Sequence, residues 1–472
     1  MNHSSTRQAS QEPAILIIGA GPAGLGAAWR LQELGHANWR LFEKSDHPGG
    51  LSASMVDPQG FTWDLGGHVL FSHYDYFDRL MEELLKEAWC SHQRESWVWI
   101  QNRFIPYPLQ NNIWRLPQRD LERCLEGLEK VGHPFNPRPN PKNFEEWILN
   151  NFGRGLADLF MLPYNFKVWA YPPSAMDIGW MKERVSPVDL DRIRENIQQQ
   201  RDDCGWGPNA LFRFPLRGGT GAIWKALANR LPPEQLCFGN QVCKIDPGRQ
   251  WLSTQSGQSY PYDYLISTMP LDHLLQGLDG FGGMREKLPQ LRYSSTHVVG
   301  VGMEGQPPDS LLKKCWMYFP DPALPFYRVT VFSNYSPYHV PDPGCFWSLL
   351  CEVSESGVKP VEQGQIAGQV MGALRSIGFI DSSTPIASLW HLRLEHGYPT
   401  PFLGRDEVLL PIEADLRAHR IWSRGRFGGW KYEVSNQDHS LMQGVEAVEQ
   451  ILRGNPEETY FSPDKVNAAR KS

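Results

Sequence analysis

Residues 14–35 read AILIIGAGPAGLGAAWRLQELG. Four apolar residues in a row, Ile15 to Ile18, form a buried strand. Gly19, Gly21 and Gly24 follow at G-x-G-x-x-G spacing, and Leu25, Ala28 and Leu34 then recur as on a helix. Glycines at these positions permit a tight turn and close backbone approach. The helix N-terminus beyond them offers unpaired N–H groups and a positive dipole to a pyrophosphate. A second strand, WRLFEK, ends in Glu43, nineteen residues past Gly24. An acid at that distance accepts hydrogen bonds from an adenosine ribose. This combination predicts a dinucleotide cradle containing Gly19, Gly21, Ala23, Gly24 and Glu43.

Two further glycine pairs indicate which dinucleotide. HPGGLSASM supplies Gly50, Leu51 and Ser52, and WDLGGHVLFSHYDYFD supplies Gly66, Gly67 and His68. Such a segment resembles those that pass close to the flavin in flavoproteins of the amine-oxidase type. Farther on, RFPLRGGTGAIWKALANRLP, QVCKIDPGRQWLSTQSG (with Val242) and YDYLISTMP read as a helix and strands returning to the same sheet. The pattern is that of an α/β, Rossmann-like nucleotide domain interrupted by insertions. A second strand-glycine-helix fingerprint does not appear, so a separate nicotinamide domain is not expected, and FAD is the expected cofactor.

The end of the chain returns to that cofactor. In DHSLMQGVEAVEQIL, residues 438–452, Leu441, Val445, Val448 and Leu452 have helical spacing. Asp438 or Ser440 is expected to cap this helix and Gly454 to end it. Its positive end would then face the flavin or its phosphates, bringing Asn436, Gln437, Asp438 and Ser440 within reach.

Composition sets the outer limits. A length of 472 residues suggests two or three domains. A net charge of −6 without a basic block argues against nucleic acid. The eight cysteines include no C-x-x-C pair and read as reduced thiols of a cytoplasmic protein, not as a disulfide framework or metal site. The polar first thirteen residues argue against a secretory signal. The longest apolar stretch, 14–29, is broken by five glycine and proline positions, so no membrane span is expected.

Between about residues 14 and 455 the chain resembles the UDP-galactopyranose mutases, in their fungal and protozoan form. The segments that carry this are PYPLQNN, PYNFKVWAYP, WGPNALFRFPLRGGTGAIW, YSSTHVVGVG, KCWMYFP, FYRVTVFSNYSPY, HGYPTP and IWSRGRFGGWKYEVSNQDHS. The resemblance implies a discontinuous FAD-binding domain (13–91, 206–275 and 415–455), a helical insertion (92–205) and a six-stranded antiparallel sheet domain (276–414). It implies a flavin-dependent isomerase interconverting UDP-galactopyranose and UDP-galactofuranose, in which N5 of reduced FAD attacks the anomeric carbon. NADPH or NADH would be the reductant, entering at the sugar-nucleotide cleft. A mutase for another nucleotide sugar and an amine-oxidase-type oxidoreductase are the alternatives.

The same resemblance assigns side chains. Tyr107, Gln110, Asn165 and Trp169 fall to the uridine side, and Trp316 is a further substrate contact. Arg328 and Arg426, with Tyr318, Tyr398 and Tyr432, fall to the diphosphate. Arginine offers phosphate a permanent charge and a planar fork of donors, and tyrosine adds directional donors without charge. Arg184 and Asn209 lie in stretches expected to close over substrate, with Gly205 and Gly207 as hinges. Arg328, Arg426, His68 and Asn209 are the residues expected to act in the reaction, and no metal is expected. Three departures stand out. The chain is short after SNYSPY and beyond its last helix, which leaves the oligomeric state open, and Ser435 stands where glycine is expected.

Overall fold

A computed structural model describes residues 12–132, 140–181, 184–186, 188–204, 207, 210–280 and 282–468. Strand β1 (Ile15–Ile18), helix α1 (Pro22–Glu33) and strand β2 (Trp39–Phe42) form the expected unit. β1 pairs in parallel with β2 on one side and with Tyr264–Ser267 on the other. Ile421–Ser423 and Leu236–Cys237 complete a five-stranded sheet, so four distant segments of the chain meet in it.

The unbroken apolar run in β1 has a packing reason. Ile15 and Ile17 join a core with Leu25, Ala28 and Leu31 of α1 and with Leu441, Val445 and Val448. Leu16 and Ile18 point the other way, into a core with Leu274, Leu275, Leu409 and Ile412. Both faces of the strand are covered, as in parallel sheets generally.

The helix read at 438–452 spans Gln437–Arg453 and ends at Gly454, which takes φ 75°. It lies against α1 at backbone contact: a Cβ on Gly444 would come 1.9 Å from the carbonyl oxygen of Ala23. Its start differs from expectation. Asn436 occupies the N-cap position, and no side chain caps the helix. The Asp438 carboxylate instead accepts hydrogen bonds from the backbone N–H of His73 at 3.0 Å and from its Nδ1 at 2.7 Å.

The second sheet has seven strands where the resemblance implies six. Its order is Ile386–Pro399, Tyr293–Glu304, Phe346–Glu355, Arg328–Val331, Trp316–Tyr318, Ser96–Ile100 and Arg103–Pro106. The last two come from the segment read as helical, and Ser96–Ile100 joins Trp316–Tyr318 in parallel. Beyond them, Gln118–Gly132, Phe144–Leu156, Leu162–Trp169 and Leu190–Gln199 are helical and share a core containing Leu121, Leu128, Phe144, Ile148 and Ile193. All eight cysteines are free thiols. No helix among the described residues is long and apolar enough to cross a membrane.

Candidate functional site

A cavity of about 1340 Å³ opens where the parallel sheet, the seven-stranded sheet and the helical segment meet. Part of its wall is the β1–α1 turn. Gly19 takes φ 99° there, and a Cβ on Gly24 would stand 1.8 Å from the Gly19 oxygen, so α1 can seat on this turn only with glycine at 24. The Gly49 N–H donates to the Ala20 carbonyl at 2.8 Å and brings the second glycine pair against the first. Glu43, at the end of β2, accepts from the N–H groups of Ala20 at 2.7 Å and Ser45 at 2.8 Å. These bonds fix its carboxylate at the cavity wall with acceptor capacity to spare.

These residues fit an FAD. Bare glycine backbone, a helix N-terminus and a fixed acid suit a pyrophosphate and a ribose. Leu51, Ser52, Gly66, Gly67, His68, Val242, Asn436, Gln437 and Ser440 line the same cavity. Two buried polar atoms in this wall, His68 Nδ1 and Asn436 Nδ2, have no hydrogen-bond partner among the described residues. Buried polar atoms normally do, so both are suited to a ligand.

The same space is walled by Tyr107, Arg184, Tyr318, Arg328, Tyr398, Arg426 and Tyr432. The two arginines differ in their partners. Arg328 is gripped by Glu352, with Nη2 donating to Oε1 at 2.7 Å and Nε donating to Oε2. Tyr327 adds its hydroxyl to Glu352 at 3.1 Å. Burial works against the Arg328 charge, but the carboxylate outweighs it and holds the guanidinium well above the usual arginine range.

Among the described residues Arg426 has only neutral partners. Its Nη2 and Nε donate to the Gly397 carbonyl at 3.1 and 3.3 Å, and its Nη1 donates to Ser435 Oγ at 2.9 Å. The guanidinium carbon sits 4.7 Å from the Tyr398 ring centre. No carboxylate pairs with it among the described residues, and burial lowers its pKa. Two fully packed arginines elsewhere make the contrast plain: Arg405 is matched by Glu433, and Arg424 by Glu413 and Glu457.

His68 lies close to this pair. Burial, with help from Arg426 and Arg328, pushes its pKa down to about 4 against the opposing pull of Glu352, so its imidazole is neutral at pH 7. Burial also raises the phenols of Tyr318 and Tyr398, which keeps both hydroxyls as donors. Arg184 donates to the Glu433 carbonyl at 3.0 Å and lies 4.6 Å over the Tyr432 ring.

Several residues read as ligand contacts are not among those lining this cavity and have partners within the protein. Gln110 donates to the Ser186 carbonyl at 3.0 Å, and Asn165 to the Met161 carbonyl at 2.7 Å. Trp169 packs edge-on against Tyr432 and Tyr398, with ring centres 4.7 and 5.7 Å away. Trp316 is paired in its strand with Thr330. Gly24 supports the turn from beneath, and Asp438 holds His73. Asn209 and Gly205 lie outside the described residues. Sequence reading missed Glu352, although it is the one charge in the largely apolar run FWSLLCEV. A buried charge of that kind requires a partner.

Below the cavity, Asp64 is fully buried and accepts from Ser54 Oγ and from Thr220 Oγ1 at 3.0 Å. Burial raises its pKa to about 7 against those hydrogen bonds. A raised carboxyl contributes its full stability below the unfolded pKa near 4 and loses it as pH rises through about 7. An Asp64→Asn variant should therefore gain on the wild type by on the order of 3 kcal/mol between pH 5 and pH 8. Melting temperatures of the two proteins at both pH values check this, and parallel pH profiles would contradict it.

The cavity, with its glycine turns, defines a flavoprotein of the amine-oxidase class. The family model described as flavin containing amine oxidoreductase matches residues 22–404, and the chain belongs to that family. Within it, the chain is 51% identical to a UDP-galactopyranose mutase whose reduced form has been solved, over 98% of both chains and with a TM-score of 0.95. The resemblance read from the motifs thus extends over almost the whole chain. Among curated relatives, a 15-cis-phytoene desaturase of Glycine max is 40% identical over 173 residues, 31% of this chain and 30% of that protein. Protoporphyrinogen oxidase 2 of Arabidopsis thaliana is 20% identical over 323 residues, 60% of this chain and 63% of that protein. Both matches span less than two thirds of the relative's length.

Proposed function

We propose that the chain interconverts UDP-galactopyranose and UDP-galactofuranose with a reduced FAD held against the β1–α1 turn. One observation carries the reading: a half-buried arginine, Arg426, without a carboxylate partner among the described residues, shares one cavity with the FAD wall, Arg328 and four tyrosines. A cluster of that kind suits a diphosphate. It disfavours the cationic amine of an amine oxidase, which two guanidinium groups would repel.

Bound and reduced, FAD supplies an electron-rich N5 as nucleophile toward the anomeric carbon. The protein's part is to bind, orient and take up charge. Arg426 receives the diphosphate as it leaves the sugar, with Tyr398 and Tyr432 as neutral walls beside it. Arg328 keeps its position through Glu352 and adds a second cation with directed donors. Neutral His68 offers the flavin side a hydrogen-bonding group without adding charge next to the two arginines. Arg184, over Tyr432, closes the wall from the helical segment. NADPH or NADH is the reductant in this reading, and the cytoplasm, where free thiols persist, is its location.

Reduced holoenzyme given UDP-galactofuranose should return UDP-galactopyranose, separated from it by anion-exchange chromatography. Unchanged substrate would overturn the assignment. A different UDP-sugar converted faster would keep the chemistry and change the sugar.

A further inference from the structure

Arg328 and Arg426 are held in the same wall by opposite means. Glu352 fixes Arg328 and cancels much of its charge at close range. Arg426 is fixed by the Gly397 carbonyl and by Ser435. The Ser435 hydroxyl donates to the Tyr432 carbonyl at 2.9 Å. Its proton is thereby committed, and its lone pairs face Arg426 Nη1 at 2.9 Å. The residue is 4% exposed and lines the cavity, so bulk water competes weakly for this bond. Ser435 has φ −119° and ψ 9°, a conformation open to any residue, so the backbone does not demand a glycine there.

We propose that Ser435 is a positioning residue that orients Arg426 while leaving its charge intact for the leaving diphosphate. A carboxylate in the same place would orient the guanidinium and neutralise it. A hydroxyl anchored on Tyr432 orients it and leaves the full charge to the ligand. The tether also links Arg426 to the Tyr432 backbone, so the cation and one of its aromatic walls keep a common position. The inference rests on the functional reading above, because it assigns the diphosphate to Arg426.

The test is a double-mutant cycle on FAD-loaded enzyme, read as the UDP dissociation constant by titration. Ser435→Ala should weaken UDP about five- to tenfold, with FAD content and melting temperature unchanged. Ser435→Thr, which keeps the hydroxyl, should restore most of the affinity. In an Arg426→Ala background, Ser435→Ala should cost nothing further, because the group it orients is gone. Equal UDP affinity in wild type and Ser435→Ala would overturn the inference alone. So would an undiminished cost in the Arg426→Ala background, which would mark a general packing role. Wild-type holoenzyme that does not bind UDP would overturn the functional reading, and this inference with it.

Discussion

Replacing Arg426 with Ala should weaken UDP binding by about ten- to over a hundredfold while FAD stays bound. A hydrogen bond to a charged group contributes roughly 1.5–3 kcal/mol. Among the described residues Arg426 has no carboxylate to leave behind, only the neutral oxygens of Gly397 and Ser435. Its loss should therefore fall on the ligand and spare the fold. Arg328→Ala should behave differently. It strands Glu352, 2% exposed, as a buried charge whose remaining side-chain bond is the Tyr327 hydroxyl. Breaking a buried pair from one side costs about 3–5 kcal/mol. The Arg328 variant should thus lose UDP affinity and melt well below the wild type, while the Arg426 variant melts near it. UDP titration, flavin absorbance and thermal melting separate the cases. Unchanged UDP affinity in both variants would return these arginines to structural roles.

A second large effect is expected far from the substrate, at Gly444. The added Cβ in Gly444→Ala would lie 1.9 Å from the Ala23 oxygen and 2.8 Å from the Ala27 nitrogen. Both are backbone atoms of α1, so no side chain can swing aside. The helix Gln437–Arg453 would have to back away, and it carries Asn436, Gln437 and Ser440 at the cavity wall. Overpacking of this kind costs about 1–3 kcal/mol or more. The variant should melt lower and purify with less than stoichiometric FAD. Wild-type melting and full flavin content would show that the two helices are not held as closely as described.

The local parts of this architecture were legible in the sequence because short-range rules decide them. The β1–α1 turn announces itself through Gly19, Gly21 and Gly24, and its strand through four apolar residues covered on both faces. The last helix is visible in the spacing of Leu441, Val445 and Val448. What escaped depends on partners distant in the chain. Ser96–Ile100 and Arg103–Pro106 look like short strands in a helical neighbourhood, and only their pairing with Trp316–Tyr318 places them in the second sheet. Asp438 has the composition of a helix cap, but its carboxylate is claimed by His73, 365 positions away. Gln110 carries ligand-like chemistry, yet its amide N–H is also claimed by the Ser186 carbonyl, 76 positions away. Residue type shows what a side chain can do. The direction in which it points is set by tertiary packing that local spacing does not encode.

The proposed reaction uses the flavin in its reduced state without net transfer of electrons. The most direct measurement compares two portions of one FAD-loaded preparation, anaerobic, one oxidised and one fully reduced, each given UDP-galactofuranose while product and flavin absorbance are followed together. The expected result is many turnovers to UDP-galactopyranose in the reduced portion, with its flavin spectrum still reduced at the end, and none in the oxidised portion. Isomerisation by fully oxidised enzyme, or flavin reduction that keeps pace with substrate loss, would contradict it.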